Sequence, residues 1–217
     1  AVSNDVKKSF IKKFKIMNID VQYNPIDSNE ILELSTKETI KYDQGTINLI
    51  TVGRLENQKG YDRLLKIVKQ LKNQNYKFKL YILGDGSQKE NYENYIFEND
   101  LTGFVSLLGF KNNPYPYLRN ADLFVCSSYA EGFSTVATEA IILNLPIVTT
   151  ECSGMRELFG DYRCGIITKN NEESLMLGLK TVLDNPELIK LYKKEIELRK
   201  NDFDIKIRIN ELESILR

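Results

Sequence analysis

The sequence predicts an α/β protein built on a doubly wound, parallel, six-stranded sheet with a C-terminal helix. Two observations carry this. From Thr46 onward, short apolar runs alternate with longer stretches of helical periodicity, the pattern of strand–helix–strand units. The runs are nearly continuous in apolar residues, as strands covered on both faces must be.

Taken in order, residues 1 to 17 place Val6, Phe10, Phe14 and Met17 at helical spacing with lysines between, after the cap candidates Ser3-Asn4-Asp5. Ile19 to Tyr23 alternates like a short strand. Asn24-Pro25-Ile26-Asp27 breaks it, because proline disfavours helix at the residue before it. Asp27 to Gly45 is polar with weak periodicity and reads as a linker. The expected strands are Thr46–Val52, Phe78–Leu83, Phe104–Leu108, Leu123–Cys126, Pro146–Thr149 and Cys164–Thr168. Helices are expected after the loop 53–60, after Gly86 to about Asn99, ending near Arg119, within Ser127–Leu145 where Val136, Ala140 and Leu143 share a face, around Gly154–Phe159 and over Asn171–Leu183. A charged helical segment follows from Pro186, with Leu188, Leu191, Tyr192, Ile196 and Leu198 able to share one face.

The composition, 42% hydrophobic and 28% charged over 217 residues with zero formal net charge, is that of an ordinary globular domain. Balanced charge supplies no electrostatic argument for nucleic acid or an anionic membrane as partner. No apolar run approaches the ~20 residues of a membrane span, and the start has no signal-peptide pattern. Cys126, Cys152 and Cys164 lack C-x-x-C spacing and read as reduced, buried thiols. Histidine is absent, which removes Ser-His triads, histidine zinc sites and any histidine base. Chemistry here must use carboxylates, Lys and Arg, or backbone dipoles.

The candidate site centres on Ser127 to Leu145. A strand, a glycine turn at Gly132 and a helix start make an anion site, because the first helical N–H groups have no internal partner. Glu131 and Glu139 flank it and cannot serve the anion; they need hydroxyl partners. Glu139 falls among Val136, Ala137, Ala140, Ile141 and Ile142, where an unpartnered carboxylate is costly. An acid/base pairing as in glycoside hydrolases is the alternative use. One glutamate precedes the helix and the other lies nearly two turns inside it, so they face different parts of an elongated ligand. Gly53-Arg54-Leu55 with Lys59-Gly60 adds two cations after the first strand; alone these would read as solvated loop cations. Beside the anion site, Arg54 can fork onto phosphate while Lys59 acts as a point charge. Gly84-Asp85-Gly86 lacks the third glycine of a dinucleotide fingerprint, since Lys89 stands there; it reads as a turn with positive-φ glycines.

Together these residues resemble the nucleotide-binding half of a GT-B glycosyltransferase of the retaining family 4 pattern. The resemblance covers Asn24 to about Pro186: Tyr23-Asn24-Pro25-Ile26-Asp27, Gly53-Arg54-Leu55, Lys59-Gly60, Leu83-Gly84-Asp85-Gly86, Leu108-Gly109-Phe110, Ser128, Glu131 through Glu139, Gly154, Glu157 and Gly165. Its most specific part is Glu-x7-Glu with the upstream Arg/Lys pair. Pro25 and Ser134 stand where glycine is frequent in relatives.

The resemblance implies a Rossmann-like fold and transfer of a sugar, with retention, from a UDP- or GDP-sugar to a saccharide or lipid-linked acceptor. It implies that Glu131 meets donor-sugar hydroxyls and that backbone N–H groups around Gly132, Phe133, Ser134 and Thr135 hold the diphosphate. Glu139 would bind the ribose, Arg54 and Lys59 beside Gly53 would neutralise the leaving diphosphate, and the loop at Phe110 would lie against the base. No cofactor or metal is then required. Residues 1–35 would be the end of an acceptor domain plus linker, 36–185 the donor domain and 186–217 a C-terminal helical segment. The acceptor would be bound by a missing N-terminal domain, and the isolated half is expected to be inactive. A cytoplasmic protein, peripheral to the membrane through that half, is expected. A sugar-nucleotide epimerase of the same fold and a non-catalytic nucleotide-binding module are the alternatives.

Overall fold

A computed structural model of the chain describes residues 1–203 and 205–216. Its centre is one parallel sheet of β1 (Ile47–Val52), β2 (Phe78–Leu83), β3 (Val105–Gly109), β4 (Leu123–Cys126), β5 (Ile147–Thr150) and β6 (Gly165–Thr168), in spatial order β3-β2-β1-β4-β5-β6. This is the doubly wound order, in which the chain moves outward from β1 and then returns to start again on its other side with β4.

The helices divide between two faces because successive strand residues point opposite ways. Leu49, Leu123, Val125 and Val148 face a layer of α3 (Tyr61–Asn73), α4 (Lys89–Glu98) and α8 (Glu172–Asp184). Ile50, Phe124, Cys126 and Ile147 face α2 (Ser28–Leu34), α5 (Tyr115–Asn120), α6 (Thr135–Ile142), α7 (Met155–Phe159) and α9 (Glu187–Arg199). The all-apolar strand runs follow from this double cover. All three cysteines are free and buried.

The six expected strands and the helices between them are present, with ends shifted by a residue or two. Two readings are corrected. Ile19–Tyr23 forms no strand; its backbone pairs with Ala1 at Asp20 and Gln22, and Tyr23 packs its ring on Phe133 at 5.1 Å. The supposed linker after Asp27 holds α2, capped by the Asp27 carboxylate accepting from Asn29 N and Glu30 N. Only Ile31 of that helix is buried, so its periodicity in the sequence is faint. The N-terminal helix, α1, runs Asn4–Phe14 with Ser3 as its cap. After α9 the charged C-terminal segment turns through Lys200–Phe203 and continues as α10 (Ile205–Leu216); Asp204 and Arg217 of that segment lie outside the described residues.

Candidate functional site

β1 and β4 are neighbours, pairing Leu49 with Leu123 and Ile50 with Phe124, yet their exits lead to opposite sides of the sheet. A crevice opens between such exits, and the fold places ligands there. Gly53 and Arg54 leave β1; Ser127, Ser128 and Glu131 leave β4.

After β1 the chain makes a short 3-10 turn, Asn57–Lys59, and enters α3 through Gly60 in the left-handed region at φ 64°. This aims Lys59 back at the β4 exit, where its Nζ lies 2.8 Å from Glu131 Oε1. Ser128 Oγ donates to the same oxygen at 2.5 Å, and Ser127 Oγ donates to the Lys59 carbonyl at 2.8 Å. The ion pair is sheltered, with the lysine side chain 22% and the glutamate side chain 10% exposed. An exposed pair contributes little, whereas one so far withdrawn from water is held in one geometry. Below it lies a small enclosed space bordered by Thr51, Tyr61, Cys126 and Ser134.

On the other side of Val52 a cleft of about 410 Å³ runs past Gly53, Arg54, Gly84, Phe110, Val136 and Glu139. Arg54 is exposed, and its guanidinium has no ion-pair partner among the described residues. Phe110 stands 70% exposed on the rim. Gly84, at φ 141°, lets the β2 exit press on the β1 exit: a Cβ there would sit 1.9 Å from the Gly53 carbonyl oxygen. Gly86 is not a positive-φ residue as expected; it is glycine because a Cβ would meet the Leu55 backbone at 2.6 Å.

α6 starts between the two spaces. Its cap, Ser134, accepts from Ala137 N, and Thr135 is exposed at its first position. The Phe133 side chain turns into the core, so this loop offers the crevice backbone rather than a ring. Glu139, one turn on, is half-buried, and its Oε1 accepts from the Tyr115 hydroxyl at 3.2 Å. Burial pushes its carboxyl up to about 7, against the lowering effect of that hydrogen bond. The two glutamates therefore line different spaces, Glu131 beside Lys59 and Glu139 beside Arg54 and Phe110.

The N-terminal segment closes over the Glu131–Phe133 loop. Ser3 Oγ donates to the Gly132 carbonyl at 3.0 Å, and Asp5 Oδ2 accepts from Gly154 N at 3.1 Å. Glu157 accepts from Asn4 N at 2.9 Å, Asp5 N at 3.1 Å and the Tyr23 hydroxyl at 2.7 Å. Burial alone would raise the Glu157 carboxyl; these bonds outweigh it and hold it below its ordinary value.

Residues 35–199 match the model of the family Glycosyl transferases group 1. The chain belongs to that family. It is 36% identical over 200 residues to a Campylobacter jejuni N-acetylgalactosamine-N,N'-diacetylbacillosaminyl-diphospho-undecaprenol 4-alpha-N-acetylgalactosaminyltransferase, covering 91% of this chain and 53% of the relative. It is 32% identical to an uncharacterized glycosyltransferase of Methanocaldococcus jannaschii, over 85% of this chain and 52% of the relative. The chain thus spans about half the length of these curated relatives. Anabaena HepE, crystallised with UDP-glucose, superposes with TM-score 0.83 at 19% identity over 100% of this chain and 62% of its own. S. aureus TarM, crystallised with UDP among other ligands, gives TM-score 0.83 at 19% identity over 98% of this chain and 42% of its own. The expected family and the Rossmann-like GT-B fold are borne out.

Sequence reading selected Gly53, Arg54, Lys59, Phe110, Glu131, Gly132, Phe133, Ser134, Thr135 and Glu139; the two spaces and the start of α6 hold all of these except Gly132, which faces Val2, and Phe133, which packs into the core. It passed over Tyr115, which holds Glu139, and Arg63, which braces the β4 exit. Neither leaves a signal in the sequence: Tyr115 stands between two prolines at the start of the short α5, and Arg63 reads as the polar face of an amphipathic helix.

Proposed function

We propose that this chain is the donor-binding half of a retaining transferase that takes a sugar from a UDP- or GDP-sugar, in polysaccharide or glycoconjugate assembly. The observation that carries this is the sheltered Lys59–Glu131 pair, set at the β1/β4 crevice beside the start of α6. Lys59 in one space, Arg54 in the next and the helix start between them border one crevice, which suits a diphosphate. Glu131 and Glu139, in separate spaces, suit hydroxyls at two ends of one donor.

In this reading the bond between the anomeric carbon and the β-phosphate oxygen breaks with its electron pair staying on the phosphate, while an acceptor hydroxyl oxygen bonds the anomeric carbon and its proton passes to the departing phosphate. Arg54, Lys59 and the N–H groups at the start of α6 stabilise that charge. Glu131 takes sugar hydroxyls, Glu139 the ribose, and the Phe110 loop the base. No metal is invoked, because the two cations fill the role that one would have. Retention and the nucleotide donor rest on the family resemblance and on the UDP held by the two structural neighbours. The acceptor site belongs to the rest of the enzyme.

Calorimetry with UDP and GDP tests this. One of them is expected to bind, and Arg54→Ala to weaken it by about tenfold, the worth of one charge-assisted contact. If neither binds at millimolar concentration and Arg54→Ala alters nothing, the assignment fails.

Glu139 adds a pH test. Its ionised form is the better hydroxyl acceptor, but burial favours the protonated form up to about pH 7. Nucleotide binding must therefore expel a proton at lower pH. Affinity should fall several-fold from pH 7.5 to 5.5. The phosphate titration of UDP cancels in the ratio to Glu139→Gln, and a ratio flat across that range would remove Glu139 from the ribose.

A further inference from the structure

Arg63, on α3, is 3% exposed and has no carboxylate among its hydrogen-bond partners within the described residues. Its donors go instead to the β4 exit. Nε and Nη2 reach the Ser127 carbonyl at 2.8 and 2.5 Å, and Nη2 reaches the Ser128 carbonyl at 2.6 Å. Nη1 donates to Asn170 Oδ1 at 2.8 Å, and the guanidinium lies 4.0 Å from the centre of the Tyr129 ring.

The surroundings complete a clamp. Thr150 Oγ1 and Cys152 Sγ also donate to the Ser128 carbonyl, Asn170 Nδ2 to that of Tyr129, and Gln58 Nε2 to that of Ala130. Every carbonyl from Ser127 to Ala130 is thus taken by a side chain, and Arg63 supplies the first two. Burying a cation with no carboxylate bonded to it is costly, and a dense set of acceptors offsets that cost. For mere packing of α3 against the sheet, an aliphatic side chain would serve at lower cost.

What distinguishes this stretch is its opposite side. The hydroxyl of Ser127 holds the Lys59 backbone, and the hydroxyl of Ser128 holds Glu131 Oε1. We propose that Arg63 is a positioning residue for the Lys59–Glu131 pair, acting through the Ser127–Ser128 backbone to keep the lysine aimed at the donor diphosphate. This rests on the reading of Lys59 as a diphosphate ligand. Arg63 touches no donor atom. Its contribution is orientation, so it should affect the phosphate part of binding and leave the nucleoside part alone.

The test compares Arg63→Met and Arg63→Lys with the unchanged chain. UDP and GDP are titrated calorimetrically, and uridine and guanosine by ligand-observed NMR. The Lys59 ammonium signal, assigned with Lys59→Arg, is followed without ligand; a sheltered ion-paired ammonium exchanges slowly enough to be seen. Arg63→Met should weaken the nucleoside diphosphate about tenfold, leave the nucleoside within twofold and abolish the Lys59 signal. Arg63→Lys keeps the charge but not the fork and should recover part of both. Should Arg63→Met not fold, Arg63→Lys decides alone: a several-fold loss confined to the diphosphate supports the proposal. Equal losses for diphosphate and nucleoside, or an intact Lys59 signal with unchanged affinity, overturn it. If the unchanged chain binds neither diphosphate, the donor reading falls, and the Lys59 signal alone judges Arg63.

Discussion

Lys59→Ala is expected to lower the transfer rate of the full-length enzyme by about 10²–10³-fold, the range found when one donor to a developing oxyanion is removed. Two effects act in the same direction. On the proposed function, the cation assigned to the departing phosphate is lost, and among the described residues Glu131 keeps Ser128 as its side-chain partner. A carboxylate with a side chain 10% exposed then faces the diphosphate unneutralised. Folding should suffer far less. Breaking a fully buried pair costs ~3–5 kcal/mol, and the lysine here is 22% exposed, so about 1–2 kcal/mol is the expectation. A rate loss much larger than the stability loss marks a chemical role. Steady-state turnover at saturating donor, together with thermal unfolding of the same protein, separates the two. A turnover within threefold of the unchanged enzyme would remove Lys59 from the leaving group.

Gly60→Ala should unfold the domain more readily than any surface change, by on the order of 3–5 kcal/mol. Gly60 sits at φ 64° between the 3-10 turn and α3, and a Cβ there would lie 2.1 Å from the Ser127 carbonyl oxygen. That carbonyl cannot retreat, because Arg63 holds it. Gly45 provides the control: at φ 79° with nothing within 4 Å, its replacement by alanine incurs only the left-handed backbone penalty, about 1 kcal/mol. For a domain of this size the Gly60 variant should melt roughly 10 °C lower and the Gly45 variant only a few degrees lower. Equal shifts in urea or thermal unfolding would show that the collision is relieved by movement of the β4 exit. Nucleotide binding would then weaken with it.

The elements differ in how legible they were. β1 and β4 were plain in the sequence because burial on both faces forces an apolar run, as at Leu49-Ile50 and Leu123-Phe124-Val125. α2 was not, because one buried residue, Ile31, sets no period. Its helix is held by the Asp27 cap and by packing on α5 and α6. Ile19–Tyr23 had the alternation of a strand, but its backbone bonds run to Ala1, through Gln22 N to the Ala1 carbonyl and the Ala1 ammonium to the Asp20 carbonyl, rather than to the sheet. The glutamates were legible as candidates because Glu139 lies in an apolar helix, where a charge stands out.

Local chemistry, then, was enough to determine the six strands, the helices between them, the glycine turn and helix start at Gly132 and the residue types able to handle a phosphate and its hydroxyls. Each depends on neighbours a few residues away, within reach of pattern and propensity. Only the tertiary structure decided which of them meet. Lys59 and Glu131 are separated by 72 positions, and they pair because the sheet reverses its direction of growth between β1 and β4. The same reversal brings Arg63 under the Ser127 and Ser128 carbonyls, where a side chain expected in water becomes the buried brace of the crevice.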